Sequence, residues 1–203
     1  MKNKVIAIFD FDGTITKGDT FIPFLFYSFG PWRTLCCLIY CSPYILAYYL
    51  KLVSNHHAKE KMVYFLFNKL EVKNLKFSSE KFIKYKLNRH LRKNVIDRLK
   101  WHQRQNHITV LISASLDVYI EPWAKKFNFS FVESTVLEKQ KNIYTGKFKG
   151  NNCYGIEKVY RLENIFKKNI SNYKTYGYGD SLGDKFFIDL CDYRYFKKDL
   201  SKL

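Results

Sequence analysis

At 203 residues and 47% hydrophobic content, the chain is long enough for one core domain with a small insertion, and its composition excludes a disordered protein. Lys and Arg number 35 against 18 Asp and Glu, a formal charge of +17 that favours anionic partners such as phosphorylated small molecules, lipid phosphates and anionic membrane surfaces. Nucleic acid is not expected, because no recognised binding motif accompanies the charge.

The first element is the continuous apolar run Val5-Ile6-Ala7-Ile8-Phe9, the pattern of a strand buried on both faces of a parallel sheet. It ends in Asp10-Phe11-Asp12-Gly13-Thr14. That puts two carboxylates at the carboxyl edge of a strand, where open α/β sheets hold their ligands. Gly13 frees the backbone just after them, so the chain can turn and aim its amides at an anion. Two acids so close repel unless a cation or a shared proton relieves them. Magnesium suits such oxygen ligands, and phosphoryl transfer needs a cation for its charge.

From about residue 18 to 105 the pattern is helical, too long for a simple crossover, and reads as an inserted helical cap. At its start, Gly18-Asp19-Thr20 suits either a helix N-cap or a substrate contact through Asp19. Residues 21–53 carry only Arg33 and Lys51 as charges. The uncharged part is short for a membrane span and contains Pro43, so a pair of apolar helices broken at Ser42-Pro43 is expected, packed on each other or dipping into a membrane interface. His56 and His57 are neighbours and do not aim at one ion. Lys59 and Arg89 are basic side chains within reach of a phosphate-bearing substrate from the cap.

Val110-Leu111-Ile112-Ser113 is a second buried-strand pattern, ending in a hydroxyl, with Ser115 as its rival. A helix over 116–127, a strand over 131–135 and a hairpin over 136–150 follow. Lys158 begins a helix with the apolar stripe Val159, Leu162 and Ile165, and competes with Lys147 and Lys149 for a role at the site. A third strand pattern, Tyr176-Gly177-Tyr178-Gly179, ends in Asp180, followed by Asp184. Three strand ends carrying acids or a hydroxyl thus converge on one edge. The five cysteines show no zinc spacing, and only a five-residue apolar run precedes Asp10, far short of a signal-peptide core, so a cytoplasmic catalytic domain, peripheral to the membrane's inner face, is expected.

In this order the motifs resemble the haloacid dehalogenase superfamily of phosphatases, in the subfamily of phosphoserine and phosphatidylglycerophosphate phosphatases. The resemblance implies an α/β fold, a Rossmann-like core formed by 1–17 and 106–203 with a parallel sheet flanked by helices, and a helical cap over 18–105. It implies Asp10 as nucleophile, Asp12 as general acid and base, and Thr14, Ser113 and Lys158 on the phosphoryl oxygens. Magnesium is implied on Asp10, the Asp12 carbonyl and Asp180, with Asp184 orienting them. Asp19 stands where phosphoserine phosphatases carry a substrate-contacting Glu, and Gly183 where they have Asn. The expected activity is a magnesium-dependent phosphomonoesterase, with a lipid phosphate such as phosphatidylglycerophosphate preferred as substrate over phosphoserine. A phosphotransferase and a non-catalytic basic binding protein are the alternatives.

Overall fold

The computed structural model describes residues 4–203. Residues 1–3, which begin the first expected core segment, lie outside the described residues. The chain opens with strand β1 (Val5–Phe9), then runs through helices α1 (Phe21–Tyr49), α2 (Asn55–Phe67), α3 (Val72–Tyr85) and α4 (Lys93–Arg104). Strand β2 (Ile108–Leu116), helix α5 (Asp117–Lys126) and strands β3 (Phe131–Thr135), β4 (Leu137–Gln140) and β5 (Ile143–Phe148) follow. Helix α6 (Ile156–Ile165), strand β6 (Lys174–Gly179), the single turn α7 (Lys185–Ile188) and strand β7 (Tyr193–Phe196) complete it. Five strands form one parallel sheet in the order β3-β2-β1-β6-β7, and β4 and β5 form a separate antiparallel hairpin.

The unbroken apolar run of β1 follows from its central place. Ala7 and Phe9 enter one core with Leu111 and Trp123, and Ile6 and Ile8 enter the other with Val110, Val159 and Leu162, so neither face is left for water. Strand β2 does not stop at Ser113 as the hydroxyl suggests. It continues to Leu116 through a pairing irregularity between Ile112 and Leu116, which places Ser113 and Ser115 inside the strand.

The expected break at Ser42-Pro43 is not there. Helix α1 passes through Pro43 and is broken instead at Gly30, where φ is 76° and ψ 170°. Gly30 takes this backbone without cost, and Pro31 after it is pre-set to begin the next helical length. At Pro43 the missing N–H orphans the Ile39 carbonyl, and the Ser42 hydroxyl donates to it at 2.8 Å. One side-chain bond replaces the lost backbone bond, and the helix continues.

Hairpin β4–β5 joins the helical segment rather than the sheet. Lys69 and Val72 donate their amides to the carbonyls of Tyr144 and Asn142, Tyr144 donates back to Leu70, and the Phe148 amide bonds Glu60. Helix α4, by contrast, packs on the sheet: its fully buried His102 meets Phe9 edge-on, and its Nε2 lies 2.8 Å from the Tyr178 hydroxyl.

Burial pushes the His102 imidazole down to about 3, with His107 and Arg98 adding to it. An unfolded histidine binds its proton below about 6.5. The unfolded state therefore holds the extra proton between these values, and folding stability rises with pH across that window. Thermal melts of the wild type and His102→Phe should diverge as pH falls below about 6, the wild type losing up to about 1.4 kcal/mol more per pH unit. Parallel pH profiles would show that His102 titrates as it does in water.

Candidate active site

The carboxyl ends of β1, β2 and β6 and the helices α1 and α2 enclose a cavity of about 880 Å³ with Asp10, Asp12, Lys158 and Asp180 in its lining. Asp10 follows the last residue of β1, and its amide is fixed by a 2.9 Å bond to the Tyr178 carbonyl of β6. Chain reversal occurs at once through the tight loop 11–15, where Gly13 has φ of 76°. A Cβ at Gly13 would sit 2.1 Å from Asp180 Oδ2, so the glycine is required both for its conformation and for the approach of that carboxylate.

Lys158, in the first turn of α6, is almost completely buried and bonds Asp10 Oδ1 and Asp184 Oδ1, each at 2.6 Å. Its competitors Lys147 and Lys149 lie exposed along the hairpin. The second oxygen of Asp184 accepts the Ser181 amide and hydroxyl at 2.9 and 2.6 Å and the Asp180 amide at 3.3 Å. Asp184 therefore fixes the loop after β6 and aims Lys158 at Asp10. Burial acts to lower the Lys158 pKa, but the carboxylates of Asp10 and Asp184 outweigh it, and the ammonium is held charged. Burial also opposes ionisation of Asp184, yet Lys158 brings its carboxyl below the usual range.

Asp12 projects to the helical side. Its Oδ1 accepts the Thr20 amide and hydroxyl at 2.8 and 2.6 Å, and its Oδ2 accepts a short bond from Ser115, which in turn accepts from Tyr119 at 2.7 Å. Burial, with Asp19 adding to it, pushes the Asp12 carboxyl up to about 6. A carboxyl in that range can hold a proton near neutral pH. Asp12 differs from Asp10 in its partners, hydroxyls and a backbone amide in place of an ammonium.

Oxygen atoms of Asp10, Asp180 and Asp184 lie within 4.8 Å of one another. Burial raises the pKa of Asp10 and of Asp180, and in each case the Asp184 charge adds to it. This is a surplus of hard oxygen donors and negative charge that a small divalent cation relieves, so the donor set fits magnesium. Since both oxygens of Asp184 are engaged by Lys158 and Ser181, Asp10 and Asp180 are the side chains suited to hold the ion.

The remaining expected residues fall into two groups. Ser113 and Thr14 are fully buried beside the site: the Ser113 hydroxyl accepts the Ser115 amide at 3.0 Å, and the Thr14 hydroxyl lies 3.4 Å from Asp180. Asp19 lines the cavity, while its carboxylate accepts the Ile22 amide at 3.2 Å and so caps the start of α1. Arg89 is exposed and outside the cavity lining, whereas Lys59 is buried in it, 2.6 Å from the Ala114 carbonyl and over the Phe21 ring. Arg92 was not anticipated. Its amide and Nε hold the Ile15, Gly13 and Thr16 carbonyls, pinning the loop that carries the first acids. Nothing local distinguishes it from the other basic residues.

Residues 7–185 match the family profile of haloacid dehalogenase-like hydrolases. The chain belongs to this family. This haloacid dehalogenase-like hydrolase is 26% identical over 197 residues to protein CicA of Caulobacter vibrioides, covering 95% of this chain and 87% of that protein. A protein of unknown function from Bordetella pertussis Tohama I has the same fold, with a TM-score of 0.80 at 19% identity over 92% of this chain and 86% of that one. A phosphoserine phosphatase solved as a phospho-aspartyl intermediate analogue superposes with a TM-score of 0.62 at 13% identity, over 100% of this chain and 91% of that one. The parallel α/β sheet flanked by helices is thus the family's architecture.

Proposed function

We propose that this hydrolase is a magnesium-dependent phosphomonoesterase that forms a phosphoryl-Asp10 intermediate and acts on a lipid phosphate such as phosphatidylglycerophosphate. The observation that carries this reading is Asp10 beside the buried Lys158 ammonium, at the base of a cavity whose helical wall is built from Leu38, Ile45, Tyr48 and Tyr49. The base suits a phosphoryl group, and the wall suits an apolar leaving group.

In the first step an Asp10 oxygen bonds to phosphorus as the bond from phosphorus to the alcohol oxygen breaks, and the Asp12 proton goes to that oxygen. In the second, water attacks phosphorus, Asp12 takes its proton back, and phosphate leaves with Asp10 restored. Lys158 offsets the charge of the phosphoryl oxygens in a site largely shielded from water. Magnesium, when held by Asp10, Asp180 and the Asp12 carbonyl, supplies the further positive charge that phosphoryl transfer requires.

Phosphoserine is the rival substrate. The Asp19 carboxylate, expected to contact an amino-acid substrate, spends one oxygen on the Ile22 amide and keeps the other toward the cavity, so the lipid reading rests on the apolar wall. Phosphate release should be measured from phosphatidylglycerophosphate, phosphoserine and an aryl phosphate, each with magnesium or with a chelator. Magnesium-dependent release, fastest from the lipid phosphate, is expected. Faster turnover of phosphoserine would overturn the substrate assignment, and no release from any of the three would return the chain to a binding role.

A further inference from the structure

Beyond Gly30, α1 has an inner and an outer side. Thr34, Cys37 and Cys41 are fully buried in the protein, and Leu38, Ile45 and Tyr48 line the catalytic cavity. On the outer side Trp32, Leu35, Ile39 and Leu46 recur at spacings of three, four and seven, one face of a helix. A soluble helix normally turns polar residues outward, but here Trp32 is 81%, Ile39 73% and Leu46 61% exposed. No acid occurs between Asp19 and Glu60, and the exposed Arg33 and Lys51 stand near the two ends of the stripe.

The length from Pro31 to Tyr49 is about 28 Å at 1.5 Å per residue, enough to reach across a hydrocarbon layer. A helix surrounded by lipid would be exposed on every side, however, and this one has a side sealed inside the protein. Such a helix suits the plane of the interface, with one apolar face down. A second copy of this chain would bring another charge of +17 against the same face, whereas anionic lipid attracts that charge.

We propose that the outer face of α1 docks on an anionic phospholipid bilayer, so that the catalytic cavity, walled by the same helix, opens beside the headgroup layer. The inference deepens the lipid-phosphate reading and rests on it for the substrate, but docking itself can be measured without substrate. Flotation should be performed with vesicles of equal parts phosphatidylglycerol and phosphatidylcholine, and with phosphatidylcholine alone. The wild type is expected to float with the anionic vesicles only. The triple variant Trp32→Ser, Ile39→Asp, Leu46→Asp should lose at least about tenfold of the bound fraction while its aryl-phosphate turnover is unchanged, which certifies its fold. Brominated lipid should quench tryptophan emission in the wild type and far less in Trp32→Phe, because Trp123 is fully buried and the half-buried Trp101 packs on Tyr176, away from α1.

Failure of the wild type to float, or equal flotation of the triple variant, would overturn docking. A wild-type dimer that the triple variant dissociates would assign the face to a second copy instead. Docking without hydrolysis of phosphatidylglycerophosphate would overturn the lipid substrate and leave the docking surface standing.

Discussion

Asp10→Asn is expected to abolish phosphate release, by roughly four orders of magnitude or more, the scale on which loss of a covalent nucleophile is felt. The amide is nearly isosteric but cannot attack phosphorus. Asp10 is buried and shares Lys158 with Asp184, so the substitution removes one of two carboxylates facing that ammonium and leaves the other in place. The fold should therefore survive, and a melting temperature close to wild type is the control that makes the loss chemical. Substantial residual turnover of an aryl phosphate by a folded variant would refute Asp10 as nucleophile.

Lys158→Ala is expected to fail in two ways that can be measured separately. Removing one buried donor aimed at developing charge costs about 10²–10³ in kcat. The stability cost has a different origin. Asp10 and Asp184 are both buried against this ammonium, and losing one partner of a buried ion pair costs about 3–5 kcal/mol because charge is left without compensation. Added magnesium should restore part of the melting temperature but little of kcat, since a cation relieves the carboxylates without replacing the ammonium at the phosphoryl oxygens. Lys149→Ala should be silent in both assays, as that side chain is exposed beyond the hairpin. If Lys149→Ala proved the more damaging, the assignment of Lys158 would fall.

The acids of the site were legible because their chemistry is local. Asp10, Asp12, Asp180 and Asp184 each follow a strand pattern within a few residues, and strand ends in a parallel sheet share an edge. The sheet was legible for the same reason: a run such as residues 5–9 without polar alternation needs cover on both faces. Contacts made at long range were not readable in this way. Ser115 and Thr20 grip Asp12 from another strand and from the approach to α1, and Arg92 reaches the Asp10 loop from just before α4. Choosing Lys158 over Lys147 and Lys149 rested on the family resemblance, and its burial between two carboxylates is a tertiary fact. The position of the break in α1 was misjudged because proline was weighed without its neighbour. Ser42 supplies the bond that Pro43 denies, while Gly30, which has no such cover, is where the helix yields.

That yielding point also divides labour along the helix. On the near side of Gly30, Thr20 holds the Asp12 carboxyl and Phe21, Phe24 and Leu25 are locked in the core. A Cβ at Gly30 would meet only open space, so the turn itself is unbraced, and the far length is held instead by Thr34, Cys37 and Cys41, buried in the protein. The far length works like a keel whose inner edge is set into the hull. Its outward residues can be rewritten to suit another surface without touching the groups that grip Asp12.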